Sequence, residues 1–284
     1  MAGYLILIVI SALFIFCLVY GSNSTKHFKV NRIKIEVDGL PLGFDGARVL
    51  HLSDLHNSFF GKDNMELTEK VDDMRPDYIF VTGDCIDRFT KNGDAFISFV
   101  KNIEGRYPVY YSLGNHDVTV LRTDGDVFSE FRETIVSLGV TVIDDENVTL
   151  ERDGGCIRLY GFTPVRDENL HGVKVSAETL REKLGECPKN ETVFLLAHEG
   201  GFFDAFADWG ADITFSGHIH GGIVRLPFLG GVFGDGGRLF PKYCAGVYEK
   251  DGKIMNLSAG LGYTKFKFRF MNPPEMTLIK LKSR

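Results

Sequence analysis

No Cys-x-x-Cys pair occurs in the chain, and its five cysteines, Cys17, Cys85, Cys156, Cys187 and Cys244, are odd in number and scattered. Neither a disulfide framework nor a thiolate zinc site is suggested, and Cys85 and Cys156 read as small buried residues. There is no basic surplus either. The formal net charge of -6 argues against a general nucleic-acid binder, which carries a basic face. Phosphate substrates stay open, because bound cations would be the largest local charges at a site. The chain also lacks long internal repeats, low-complexity tracts, a His-x-His-x-Asp-His run and an Asp-His-His triplet. The last two absences set aside two classes of metal-dependent hydrolase.

No Lys or Arg precedes the first apolar run, Tyr4 to Tyr20, which is broken only by Ser11. With Ala2, Gly3 and Gly21 the run suits a ~30 Å hydrocarbon core, and its terminal tyrosines suit interfacial anchoring. A cleaved signal sequence is the rival reading. The missing basic start and the poor cleavage site Val19-Tyr20-Gly21 favour an uncleaved anchor. Lys26, Lys29, Arg32 and Lys34 follow the span; the positive-inside rule would leave the rest of the chain cytoplasmic, and the side of the membrane stays open. The division expected is 1–21 transmembrane anchor or signal sequence, 22–31 linker and 32–284 one folded domain. At 284 residues the chain can bury a large core.

Beyond the linker, Arg32–Val37 alternates as a half-buried strand. A repeating pattern then begins. Ala47–Leu52 is a strand candidate ending in Ser53-Asp54-Leu55-His56, and Asn64–Met74 is a helix that stops at Arg75-Pro76. Tyr78–Val81 ends in Thr82-Gly83-Asp84. After a helix over Ala95–Ile103, Val109–Leu113 leads into Gly114-Asn115-His116-Asp117. Val127–Leu138 is a helix stopped by Gly139, and two strands, Asn147–Glu151 and Ile157–Gly161, flank the turn at Asp153-Gly154-Gly155. Ala177–Leu184 is helical. Thr192–Ala197 ends in His198-Glu199-Gly200, a helix runs from Phe202 to Trp209, and the run Ile213–Ser216 closes on Gly217-His218-Ile219-His220-Gly221-Gly222.

Five apolar strands thus deliver Asp, Asn or His at their C-terminal ends, the edge at which layered α/β folds bind ligands. In extended backbone His218 and His220 would project to one side, ~7 Å apart. That spacing suits one ligand each for two ions ~3.5–4 Å apart. Isolated histidines carry less: His51 reads as core or as support for the site, and His27 and His171 as solvated.

Taken in order, Asp54-x-His56, Gly83-Asp84-x-x-Asp87, Gly114-Asn115-His116-Asp117, His198 and Gly217-His218-x-His220 resemble the calcineurin-like metallophosphoesterase superfamily, over about Arg32 to the C-terminus. Gly221-Gly222, Arg225-Leu226-Pro227, Gly260-Leu261-Gly262 and Asn272-Pro273-Pro274-Glu275 are similar to the membrane-associated bacterial phosphodiesterases of the YkuE/YaeI type. Ile223 departs from that pattern, where a polar residue is expected. The resemblance implies an α/β fold, a layered sandwich of two mixed β-sheets flanked by helices and preceded here by the transmembrane helix. It implies one metal held by Asp54, His56 and His220, a second held by Asn115, His198 and His218, and Asp84 bridging both. Two divalent ions (Mn, Fe or Zn) would activate a bridging hydroxide, with His116 as general acid on the leaving oxygen. Asn115 and His116 are expected in extended backbone, pointing opposite ways. Asp87 and Asp117 are expected to support the site by hydrogen bonds.

The function implied is a phosphodiesterase acting on a phosphate-ester substrate, lipid or membrane-proximal; the oligomeric state is open. A phosphomonoesterase or phosphoprotein phosphatase is the alternative, because the motifs do not separate diesters from monoesters. A non-catalytic metal-binding scaffold is the alternative outside enzymes; loss of His116 or of a ligand would favour it, and none is lost. Lys265–Phe270 alternates basic and aromatic residues. It reads as a half-buried strand with a solvated basic face, or as a basic strip for an anionic headgroup.

Overall fold

The computed structural model describes residues 2–163, 174–234, 237–263 and 267–284. The apolar N-terminal run forms α1 (Ala2–Ser24), whose side chains stand exposed along most of its length. It is the one helix among the described residues long and apolar enough to cross a membrane. The chain beyond α1 begins with β1 (Lys29–Val37), β2 (Arg48–Leu52), α2 (Met65–Met74), β3 (Tyr78–Thr82), α3 (Asp94–Ile103) and β4 (Val109–Ser112). It continues with α4 (Asn115–Thr123), α5 (Gly125–Ser137), β5 (Val140–Val142), β6 (Asn147–Arg152) and β7 (Gly155–Phe162). Next come α6 (Ala177–Leu184), β8 (Thr192–Glu199), α7 (Phe203–Trp209) and β9 (Ile213–Gly217). Five strands close the chain: β10 (Arg225–Leu226), β11 (Gly230–Gly231), β12 (Gly246–Lys250), β13 (Lys253–Leu257) and β14 (Glu275–Ser283).

Two six-stranded sheets result, in the orders β1-β14-β2-β3-β4-β5 and β12-β13-β9-β8-β7-β6. Both are mixed: β14 runs antiparallel to β2, and β6 and β12 are antiparallel edges. The period of two sorts the strand residues by layer. On β2 and β3, Val49 and Phe80 join Phe194, Phe215 and Ile279 in a core between the sheets. Their neighbours Leu50, Ile79 and Val81 pack instead with Leu67, Phe96, Phe99 and Phe131 of α2, α3 and α5. On β8, Val193 and Leu195 meet Leu180, Phe206 and Trp209 of α6 and α7. The layers are therefore helix, sheet, sheet, helix, as expected.

Several local expectations need correcting. Asn115 and His116 are not extended; they form the first turn of α4, because Asp117 turns back to accept the Gly114 N–H at 2.6 Å and caps the helix. His218 and His220 lie past the end of β9 with φ of 75° and 50°, so glycine-rich turn geometry rather than strand pleat sets their directions. Cys85 is buried as expected, but Cys156 is exposed on edge-paired β7. In the basic–aromatic run, Lys267 is exposed, whereas Arg269, on the same expected face, is 1% exposed. Neither reading of the run holds at Arg269, and Lys265 and Phe266 lie outside the described residues, as does His171.

Candidate metal centre

Because β2, β3 and β4 are parallel neighbours in one sheet and β8 and β9 in the other, their C-terminal ends meet at one edge of the sandwich. Close approach there requires glycine. A Cβ at Gly114 would collide with Asp84, and one at Gly217 with Ser53 and Asp54. The loops press on one another with no room for a side chain.

The fold brings together all seven residues expected as ligands. Asp54 Oδ1 lies 3.4 Å from His220 Nε2 and 3.7 Å from His56 Nε2, and those two imidazole nitrogens are 3.1 Å apart. A second set forms beside it. His198 Nε2 is 3.2 Å from Asp84 Oδ2 and 3.0 Å from Asn115 Oδ1, and His218 Nδ1 is 2.8 Å from the same amide oxygen. His56 Nε2 lies 3.7 Å from Asp84 Oδ2, so Asp84 adjoins both sets. His116 lies with His56 and Asp84, its ring centroid 4.4 Å from that of His56. Five of the seven, Asp54, His56, Asp84, His218 and His220, have positive φ. For residues with a Cβ that conformation is uncommon, and its concentration here is backbone strain at a site.

The donor set fits metal ions. It consists of imidazole, carboxylate and amide oxygen, which suit Mn, Fe and Zn. At bonds of ~2.0–2.1 Å, donors sharing one ion stand ~3–3.4 Å apart, the spacing of the closest pairs above. Two imidazole nitrogens facing each other at 3.1 Å gain nothing from that approach unless a proton or a cation lies between them. Charge is arranged accordingly. Burial opposes ionisation of Asp54, yet His220 and His198 reverse it and hold the carboxyl well below the usual range. Asp84 behaves alike: burial opposes, and the charge of His198 beside it outweighs that. The fold thus keeps two carboxylates ionised in a dry interior.

Residues that sequence reasoning missed or undervalued surround this centre. Asn256 Nδ2 donates to His51 Nδ1 at 2.7 Å, and His51 Nε2 in turn donates to Thr82 Oγ1 at 2.9 Å. Thr82 Oγ1 donates to Ser53 Oγ at 2.9 Å, and Ser53 Oγ to Asp54 Oδ2 at 2.6 Å. His51 is fully buried, and that burial brings its pKa down to about 3, so the ring is neutral. Nδ1 of His198 donates to the Thr82 carbonyl at 2.6 Å, so Nε2 is the nitrogen turned to the donor set, the usual arrangement behind a ligating histidine. Arg269 Nη2 lies 3.1 Å from His220 Nδ1 and donates to the Gly260 carbonyl at 3.2 Å. Asn272 Nδ2 donates to the His220 carbonyl at 2.6 Å. Asp117 supports the site as expected, accepting the Asp84 N–H at 2.8 Å and the Tyr111 hydroxyl at 2.8 Å. Asp87 does not; its carboxylate accepts Phe89 N–H and Thr90 N–H within its own turn. A polar residue inside an apolar strand, as at His51 and Asn256, is the one signal that could have found part of this set.

A two-sheet sandwich with carboxylates, an amide and imidazoles converging at its strand ends is the architecture of a metallophosphoesterase. Residues 47–222 match the family described as calcineurin-like phosphoesterase, and the chain belongs to that family. Membership implies hydrolysis of phosphate ester bonds. The chain is 27% identical over 260 residues to YkoQ of Bacillus subtilis (strain 168), described as an uncharacterized metallophosphoesterase, across 90% of this chain and 92% of that one. YkuE of the same organism, described likewise, is 27% identical over 250 residues, or 86% of this chain and 82% of its own length. The YkuE-type assignment stands on these relatives. A Danio rerio protein described as a transmembrane protein with metallophosphoesterase domain is 25% identical over 280 residues, which is 93% of this chain and 60% of that protein.

Proposed function

We propose that this chain is a membrane-anchored, two-metal phosphodiesterase. The observation that carries the reading is the pair of adjoining donor sets that share the neighbourhood of Asp84. Asp54, His56 and His220 would hold one ion, Asn115, His198 and His218 the other, and Asp84 both. When bound, two divalent ions (Mn, Fe or Zn) supply Lewis acidity at the phosphoryl oxygens and an activated water at neutral pH.

The protein's own groups prepare that chemistry. The relay from Asn256 through His51, Thr82 and Ser53 keeps the Asp54 carboxylate turned with Oδ1 toward the histidines. His116 Nδ1 accepts the Arg88 N–H at 3.3 Å, so its proton sits on Nε2. When the substrate anion binds, the ring would take a second proton from solvent on Nδ1, and the imidazolium would then donate its Nε2 proton to the leaving oxygen and return to neutral imidazole. Residues 1–21 serve as the anchor, 22–31, which include the last turn of α1 and the first residues of β1, join it to the rest, and 32–284 form the catalytic domain; the apolar exposure of α1 and the description of the Danio rerio relative support the anchor. The substrate is then a phosphate ester at or near a membrane.

A panel of diesters, monoesters and phospholipid-like headgroup esters, run with Mn, Fe and Zn in turn, tests this reading. Metal-dependent turnover that favours diesters is expected. Preference for monoesters would make the protein a phosphomonoesterase instead, and binding of metal with no turnover of any ester would make it a scaffold.

A further inference from the structure

The segment that follows the metal-centre histidines leaves the domain surface as a hairpin, β10 and β11, with the tip Leu226-Pro227-Phe228-Leu229. Phe228 is 108% exposed and Leu229 63%. Nearby in the same surface, Phe233, Phe240 and Met271 are exposed as well. Large apolar side chains grouped at a loop tip cost solubility unless something covers them.

Its neighbour indicates what covers it. Val224, at the foot of the hairpin, bridges Phe270, and the Arg225 N–H donates to the Phe270 carbonyl at 2.9 Å. The Phe270 ring in turn meets Tyr20, centroid to centroid at 5.4 Å, where the apolar run of α1 ends. One residue on, the Phe268 ring packs so closely on Gly21 that a Cβ there would collide with it. The Arg269 N–H donates to the Gly21 carbonyl at 3.1 Å. The hairpin is therefore joined through one strand-like bridge to the point at which α1 would leave a bilayer. Charge agrees. Against a net charge of -6 for the chain, residues 221–240 contain Arg225 and Arg238 with a single acid, Asp235, and 261–272 present the exposed Lys267 and contain no acid. Aromatic and aliphatic tips flanked by Lys and Arg suit an anionic lipid surface.

We propose that the Leu226–Leu229 tip, with Phe240 and Met271 beside it, inserts into the bilayer surface next to α1. This rests on the reading of α1 as a membrane anchor, and deepens the proposed function. The hairpin also hangs from the metal-centre loop, since the Phe233 N–H donates to the Gly222 carbonyl at 3.2 Å, two residues after His220. Seating the tip in lipid would bring the centre to the headgroup level. The substrate class is then an amphiphilic phosphodiester presented by the bilayer, and not one diffusing in water.

The test uses the full chain in vesicles of phosphatidylcholine and phosphatidylglycerol, with Phe228→Trp as a depth probe. Trp209, the single native tryptophan, supplies the baseline from the parent protein. Emission from the new indole should be quenched by lipids brominated on their acyl chains and shielded from aqueous iodide. Quenching by iodide alone in protein that floats with the vesicles would overturn the docking and leave the anchor intact. Shielding from both quenchers would indicate a protein partner, a second copy included, and would also overturn it. Failure to float would remove the anchor reading and the docking with it. In a second arm, Phe228→Ser with Leu229→Ser should cut turnover of a vesicle-borne diester about tenfold, the scale of withdrawing an aromatic side chain from lipid. Turnover of a water-soluble nitrophenyl diester should stay unchanged. Equal loss on both substrates would count against the inference.

Discussion

Asn256 Nδ2 lies 2.7 Å from His51 Nδ1, and the two residues belong to different sheets, β13 and β2. The bond crosses the middle of the sandwich, between rings of an apolar core; Phe215 stands edge-on to His51 at 5.5 Å. A donor and an acceptor buried there are held by each other, and the donation continues in one direction to Asp54. The relay therefore connects the packing of two sheets to the orientation of one carboxylate.

His51→Leu should expose that connection. It leaves the Asn256 amide and the Thr82 hydroxyl short of partners, at a cost of about 1–3 kcal/mol for each such buried group. Loss of support behind Asp54 should also weaken metal binding about 10–100-fold. Denaturation of the metal-free protein and metal titration of the folded variant measure the two effects separately. Lower stability with unchanged metal affinity would reduce His51 to a packing residue.

His116 should separate chemistry from metal binding. Burial brings its pKa down to about 3, so the ring is neutral until a phosphate anion meets it. His116→Asn should keep both metals and lose about 10²–10⁴-fold in turnover on esters with alkoxide leaving groups. The loss should shrink on nitrophenolate esters, which leave without a proton. Equal loss on both would make His116 a hydrogen-bond donor to the phosphoryl group.

Metal binding should be linked to pH. In the metal-free centre burial works against a charged His198, but Asp84 and Asp54 outweigh it and raise its pKa from 6.5 to about 10. A raised folded-state pKa means that this stabilising contribution is full below pH 6.5 and is lost as pH climbs through about 10. An ion requires the neutral ring. Melting temperatures of chelator-treated protein should therefore fall over that range while apparent metal affinity rises. Calorimetry in buffers of different ionisation enthalpy should register protons released on metal uptake. Uptake without proton release would contradict the assignment of His198.

The layers and the strand-end clusters were legible because each apolar run ends abruptly in Asp, Asn or His, and unbroken apolar runs such as Thr192–Ala197 announce strands buried on both faces. Other features depend on partners distant in the chain. Arg269 sits in an alternating run whose pattern implies solvent, yet its guanidinium is buried against the Gly260 and Gly262 carbonyls and His220. The start of α4 was hidden because its first turn, Asn115-His116-Asp117, is polar and buried, without the apolar spacing that announces a helix. The three-residue β5 is too short to carry a period. The turn at His218-Ile219-His220 is set by positive φ at both histidines, for which only the flanking glycines give warning.

The central claim is that one carboxylate serves two ions. Elemental metal analysis of folded, purified Asp84→Ala and Asn115→Ala tests it directly. The account predicts that Asp84→Ala empties both positions, while Asn115→Ala keeps about one ion per chain. Two ions retained in Asp84→Ala would contradict it.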